Sequence, residues 1–292
     1  MQSDVMCVDS DSSSPTVAHF IPLGNGVTGV TSLGDDVFVA FWLQQQIEVY
    51  DAKTFTLQHY ITVPGLGPSV GGLAACPHNN CLCASDCDKI HRVELSGNNA
   101  VMTWSIKRRP QGLSVNSEHN LLVVCFKRRT PCFKPKLQIF TTHGKRLQKI
   151  PLQADIERPR HAVQLPTGQF LVSHEDSLHR VCLVGVDGAV VRSYGGQRGS
   201  QLTQMNLPAG LAVDREGRVL VADRRNNRLL VIDQSLSSAH EMSVCVDGGL
   251  NHPRSLWYDK SRRHLYIGDS GEVGGGRVIV IDNLKDFSTC RV

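Results

Sequence analysis

The chain is predicted to be all-β, a closed β-propeller of six four-stranded blades forming a single domain. Three observations carry this. A strand–turn–strand–loop–strand unit recurs six times at steps of 40 to 49 residues, the length that four short strands and their turns need. Within the repeats, small and aliphatic residues fall into aligned columns. The last repeat supplies three strands only, and the start of the chain resembles the missing fourth.

The clearest unit runs from Pro208 to Asp233, PAGLAVDREGRVLVADRRNNRLLVID. It reads as strand, Asp/Gly turn, strand, polar loop, strand. First strands begin at Gly29, Gly72, Gly112, His161, Gly210 and Ser255. In the second strand Val37, Cys81, Leu121, Phe170, Val219 and Leu265 align, and two positions on so do Val39, Cys83, Val123, Val172, Val221 and Ile267. The next column is mostly small (Ala40, Ala84, Val124, Ser173, Ala222, Gly268), which suits a crowded place where neighbouring sheets converge. In the third strand Tyr50, Val93, Phe140, Val184, Ile232 and Ile281 align. His19-Phe20-Ile21-Pro22-Leu23 resembles Gln148-Lys149-Ile150-Pro151-Leu152, the outer strand of blade three. Residues 17–23 are therefore expected to complete blade six and close the ring, leaving no unpaired edge. Residues 1–16, with the run DSDSSSP, read as a disordered polar tail, and 17–292 as the propeller.

Composition bounds the rest. A chain of 292 residues that is 41% hydrophobic and 20% charged can build a core without staples. The net charge of +4 is mild, so its placement matters more than its size. No run of 18 apolar residues is present, the first residues have neither a basic region nor an apolar run, and no Asn-X-Ser/Thr acceptor occurs. The ten cysteines are expected to be reduced and the location cytoplasmic.

At Pro208-Ala209-Gly210-Leu211-Ala212-Val213-Asp214, followed by Val221-Ala222-Asp223 and Asn226-Asn227-Arg228, the sequence resembles an NHL repeat. A looser copy is His252-Pro253-Arg254-Ser255-Leu256, then Ile267-Gly268-Asp269 and Arg277. The other four copies keep the hydrophobic columns but carry Phe41, Ser85, Cys125 and His174 where Asp223 stands. The resemblance implies an NHL-type propeller as found at the C-terminus of tripartite-motif (TRIM) proteins, where such rings recognise RNA or protein partners. Their RING finger, B-boxes and coiled coil have no counterpart here, so any ubiquitin-ligase activity of such relatives lies outside these residues.

In a blade, the loop between strands two and three shares a face, here called upper, with the loop leading into the next blade. That rule gathers Lys107, Arg108 and Arg109, then Lys127, Arg128, Arg129, Lys134 and Lys136 with Phe126 and Phe133 interleaved, then Arg158 and Arg160, Arg224 and Arg225, and Arg254. Cations neutralise backbone phosphates, and arginine or an aromatic ring stacks on an unpaired base. The expected partner is single-stranded RNA or an acidic protein segment, not DNA or a membrane; the alternative is an ordinary solvated face. Arg228 is expected to be structural, pairing with Asp223 or a neighbouring carbonyl.

Other motifs are weaker. Cys76, Cys81, Cys83 and Cys87 beside His78 lack paired zinc spacing, and Cys81 and Cys83 fall in hydrophobic columns, so they are read as small buried hydrophobes. His174 and His179 are read as exposed loop histidines. The inner strands are apolar or small, with His161 alone as a possible ligand and more plausibly structural. No catalytic set, metal or cofactor is expected, and the chain is read as a non-enzymatic recognition module; a metal-dependent hydrolase or lyase is the remaining alternative.

Overall fold

Short two-faced strands cannot bury themselves alone, so hairpins joined by Asp/Gly turns must stack on neighbours. The computed structural model describes residues 17–22, 25–67, 70–107, 109–126, 135–271 and 275–282. These form six antiparallel four-stranded sheets arranged as blades. The inner strands are Val27–Leu33, Gly72–Cys76, Arg109–Val115, Arg158–Gln164, Pro208–Val213 and Pro253–Asp259. Each packs against the inner strands of both neighbours, the last against the first, so the ring is closed. Residues 1–16 lie outside the described residues.

The closing strand is where the sequence places it. Val17–Pro22 pairs antiparallel with Arg277–Ile281, the third strand of blade six. Ile21 lies in the core that joins blades six and one, with Val27, Tyr266, Val278 and Val280. The aligned columns become that core and its counterparts. Six hydrophobic clusters each fill one junction between neighbouring blades. Cys81 and Cys83 sit fully buried in the junction of blades two and three, packed as apolar groups.

The inner strands approach too closely for side chains at several places, Gly29, Gly72, Gly112 and Gly210 among them. A Cβ on Gly112 would lie 2.6 Å from the carbonyl of Arg160 and from the His161 ring, and one on Gly210 would lie 2.8 Å from the carbonyl of Arg254. Hydroxyls also bridge neighbouring blades. Ser173 Oγ donates to the Ala209 carbonyl at 2.5 Å, Ser114 Oγ to Ala162 at 2.8 Å and Ser85 Oγ to Gln111 at 2.9 Å. His161 clamps three blades: Nε2–H donates to the Leu113 carbonyl at 3.0 Å and Nδ1 accepts the Leu211 N–H at 3.2 Å. Both nitrogens are spent on backbone in the neutral ring, and burial pulls its pKa down. The structural reading of His161 holds.

Candidate functional site: the upper mouth of the central channel

Four inner strands start at or beside proline: Pro110, Pro159, Pro208 and Pro253. Proline offers no N–H to a ladder, and pairing slips just after each of the four. The slips after Pro159 and Pro253 leave Arg160 and Arg254 as the extra residues, between Pro159 and His161 and between Pro253 and Ser255. A bulge re-aims its side chain, and both arginines line the central channel.

The channel has a volume of about 650 Å³. Its upper mouth brings together Arg160, Arg254, Glu175 at the end of the second strand of blade four (Phe170–Glu175), and Arg224 from the turn after the second strand of blade five. Arg160 Nη2 and Arg158 Nη2 both bond Glu175 Oε1, the latter at 3.2 Å, and Arg160 Nη1 donates to Gln111 Oε1 at 3.3 Å. Asp176, next in the chain, holds φ at 120°, a strained conformation for a residue with a side chain.

Arg224 and Arg254 are arranged differently. Arg224 Nε is buried without a hydrogen-bond partner among the described residues. The Arg254 guanidinium lies over the Trp42 ring, 5.3 Å from its centre. Burial, then the neighbouring arginines, lowers the pKa of both, that of Arg254 to about 10, and Glu175 is the carboxylate that opposes this. Glu175 is already shared by Arg158 and Arg160, so the mouth carries uncompensated positive charge and unspent donors. Trp42 is 48% exposed, and Leu43 beside it is 77% exposed with φ at 65°.

The sequence thus anticipates Arg160, Arg224 and Arg254, which the ring brings to one mouth. Arg158 joins through Glu175. Lys107, Arg109 and Arg225 are exposed, with Arg109 Nη2 directed at Cys87 Sγ, 3.7 Å away. Lys136 lies in the third strand of blade three. Phe126 ends the second strand of that blade. Arg108, Lys127, Arg128, Arg129, Phe133 and Lys134 lie outside the described residues. Trp42, Gln111 and Glu175 were not anticipated. The proline before a polar residue at an inner-strand start is a readable signal for Gln111; nothing local marks Glu175.

Asp–Arg braces support the mouth from behind. Asp223 accepts the Asn206 N–H at 2.7 Å, Asn226 Nδ2 at 2.7 Å and Arg228 Nε at 2.9 Å. Arg228 also donates to the carbonyls of Ser200, Gln201 and Gln204, tying down the loop that leads into blade five. The predicted Arg228–Asp223 pair is present. Blade six repeats it: Arg277 Nε donates to Asp269 at 3.1 Å, and Asp269 accepts the Asn251 N–H at 3.0 Å. In blade two Asp86, one residue beyond the aligned Ser85, accepts the Gly67 N–H at 2.8 Å and bonds His91 Nε2 at 3.0 Å.

Blade four replaces the aspartate with histidine, and here the sequence reading needs correction. His174 and His179 are not exposed: they are 0% and 4% accessible. His174 Nε2 accepts from Arg180 Nε at 2.8 Å, and His179 Nδ1 accepts the Leu207 N–H at 3.1 Å. Burial, then Arg180, lowers the His174 pKa to about 4. A folded-state value below the ordinary 6.5 means the unfolded chain binds the proton more readily. Stability from this group is complete above pH 6.5 and is lost as pH falls toward 4, a difference on the order of 3 kcal/mol. Thermal melts should show the midpoint dropping across that window. His174→Asp, which installs the residue found in blades five and six, should flatten part of the drop; an unchanged slope would assign it to other groups.

Among the described residues no group of three or more His, Cys, Asp or Glu could hold a metal, and no helix is long and apolar enough to cross a membrane.

The NHL repeat family model matches residues 205–232, the blade-five segment that contains Asp223 and Arg228. No curated protein matches the chain. Similar solved structures include the aldose sugar dehydrogenase of Streptomyces coelicolor in its PQQ-bound form, 16% identical, TM-score 0.72, covering 92% of this chain and 98% of that one. Virginiamycin B lyase from Staphylococcus aureus is 11% identical, TM-score 0.59, covering 92% and 89%. The propeller domain of Cps50 (Swd1) from Myceliophteria thermophila is 12% identical, TM-score 0.62, covering 92% and 99%. At such identities the likeness is one of fold. It nevertheless corrects the expectation that the chain is no enzyme: two of these three propellers are enzymes. Apolar inner strands do not separate catalytic from other rings, because a channel mouth also draws on second strands and loops, as Glu175 and Arg224 do here.

Proposed function

We propose that this six-bladed propeller of NHL type is a recognition ring whose upper mouth receives a phosphate of single-stranded RNA. The observation that supports it is the Arg224–Arg254 pair, two partly buried cations whose donors are unspent and whose one opposing carboxylate is committed elsewhere. Bringing two guanidinium groups together costs free energy that an anion between them returns. Trp42, covered on one side by Arg254 and half exposed, offers the stacking surface that an unpaired base uses. Among the described residues the one helix at this face is the three-residue turn Arg224–Asn226, too short to enter a duplex groove.

The test is fluorescence anisotropy with a labelled ten-nucleotide uridine strand over a salt series. Arg224→Gln with Arg254→Gln should weaken binding by at least about tenfold and reduce the salt slope by about two. Trp42→Ala should weaken it by about ten- to a hundredfold without changing the slope. Equal affinity of the double variant and the parent would overturn the proposal. A polyglutamate peptide that binds through both arginines where the RNA does not would assign the mouth to an acidic protein segment.

A further inference from the structure

We infer that the channel beneath the mouth takes a small amphipathic carboxylic acid, its head held by Arg224 and Arg254 and its apolar body running down between the inner strands. The inference rests on the mouth being an anion site, as proposed above, and adds a ligand that a polymer lying across the face could not be. Depth is the first reason. A volume of about 650 Å³ lies within the 300–1,000 Å³ of small-molecule sites, and an RNA phosphate would occupy its rim alone. Wall chemistry is the second. Val30, Leu73, Leu113, Leu211 and Leu256, which pack mainly between the blades, show their edges to the channel from five of the six blades. Polar groups among them are engaged within the ring: Ser114 Oγ on the Ala162 carbonyl, Ser255 Oγ on the Val30 N–H, both His161 nitrogens on backbone. What remains is a waist of apolar and small residues between the cationic mouth, with its unspent donors, and a polar far end that carries Asn116, Gln164, Asp259 and Lys260. That pairing matches a carboxylate at the end of a hydrocarbon body, the carboxylate forked between planar guanidinium groups.

Calorimetric titration of the whole chain with acetate, hexanoate, octanoate and decanoate, beside octanol, tests this. Affinity should rise about fourfold per methylene at a stoichiometry of one, as expected for burial of each CH₂. Octanol should bind at least tenfold more weakly than octanoate, and Arg224→Gln with Arg254→Gln should remove that preference. A flat series while acetate and inorganic phosphate still displace the uridine strand would overturn the channel ligand and leave the mouth reading standing. No displacement by any anion would remove both. A length dependence undiminished in the double variant would also overturn it, since the body would then be binding without the head.

Discussion

Removing residues 1–22 is expected to open the ring and cost the protein its cooperative fold. The deletion takes Val17–Pro22 from the edge of Arg277–Ile281, whose Val278, Ile279, Val280 and Ile281 are fully buried. Loss of Ile21 alone removes a core side chain, and such losses cost about 2–5 kcal/mol. The ladder hydrogen bonds to Val278 and Val280 go with it, and the total approaches the 5–15 kcal/mol that holds a typical domain folded. The bared strand is apolar and unpaired, the kind of edge that templates association. Calorimetry should show a lowered and broadened transition, and light scattering should show growth with concentration. Removing residues 1–16 alone should change neither. A 1–22 deletion that melts like the parent would mean that the closing strand adds nothing to stability.

The second large effect concerns Arg228. Arg228→Ala should destabilise the fold by about 3–5 kcal/mol, because a buried carboxylate is left without its counterion. Asp223 is 0% accessible, and its two other partners are neutral donors, Asn206 N–H and Asn226 Nδ2. The arginine also satisfies three loop carbonyls, so the loop leading into blade five loses its anchor. Pairing the change with Asp223→Asn should recover part of the loss, which denaturant titration of the four-member cycle measures. Arg224, four residues away, gives the contrast. It faces other arginines, so Arg224→Gln should leave the melting temperature unchanged or raise it. If Arg228→Ala melted within a degree or two of the parent, the brace would be ornamental.

The ring was legible in sequence because its signals are periodic. Columns such as Val39, Cys83, Val123, Val172, Val221 and Ile267 recur at blade spacing, and every member is fully buried. The closing strand was legible by likeness to Gln148–Leu152. The mouth was legible in part. Arg160, Arg224 and Arg254 follow from the rule that assigns loops to faces, but which of many cations would converge depends on bulges, and a bulge shows only in paired strands. Trp42 was missed because blade one looked poor in charge, although its loop borders the same opening. The histidines of blade four were misread because position in a loop suggested exposure, whereas each is a buried hydrogen-bond acceptor and His174 stands where blade five has Asp223. In blade two a one-residue shift hid Asp86 behind Ser85.

The slipped pairing at the inner-strand starts has an evolutionary consequence. In five blades the slip sets aside residues that owe nothing to the ladder at the channel's upper end, among them Thr28, Gln111, Arg160, Ala209 and Arg254. The six cores lie elsewhere, between the sheets. Substitutions at the rim can therefore accumulate without taxing foldability, and the same scaffold can drift from one ligand to another by changing a handful of interchangeable positions. Here two of the five are arginine; a descendant with different letters at those places would keep its ring and change its guest.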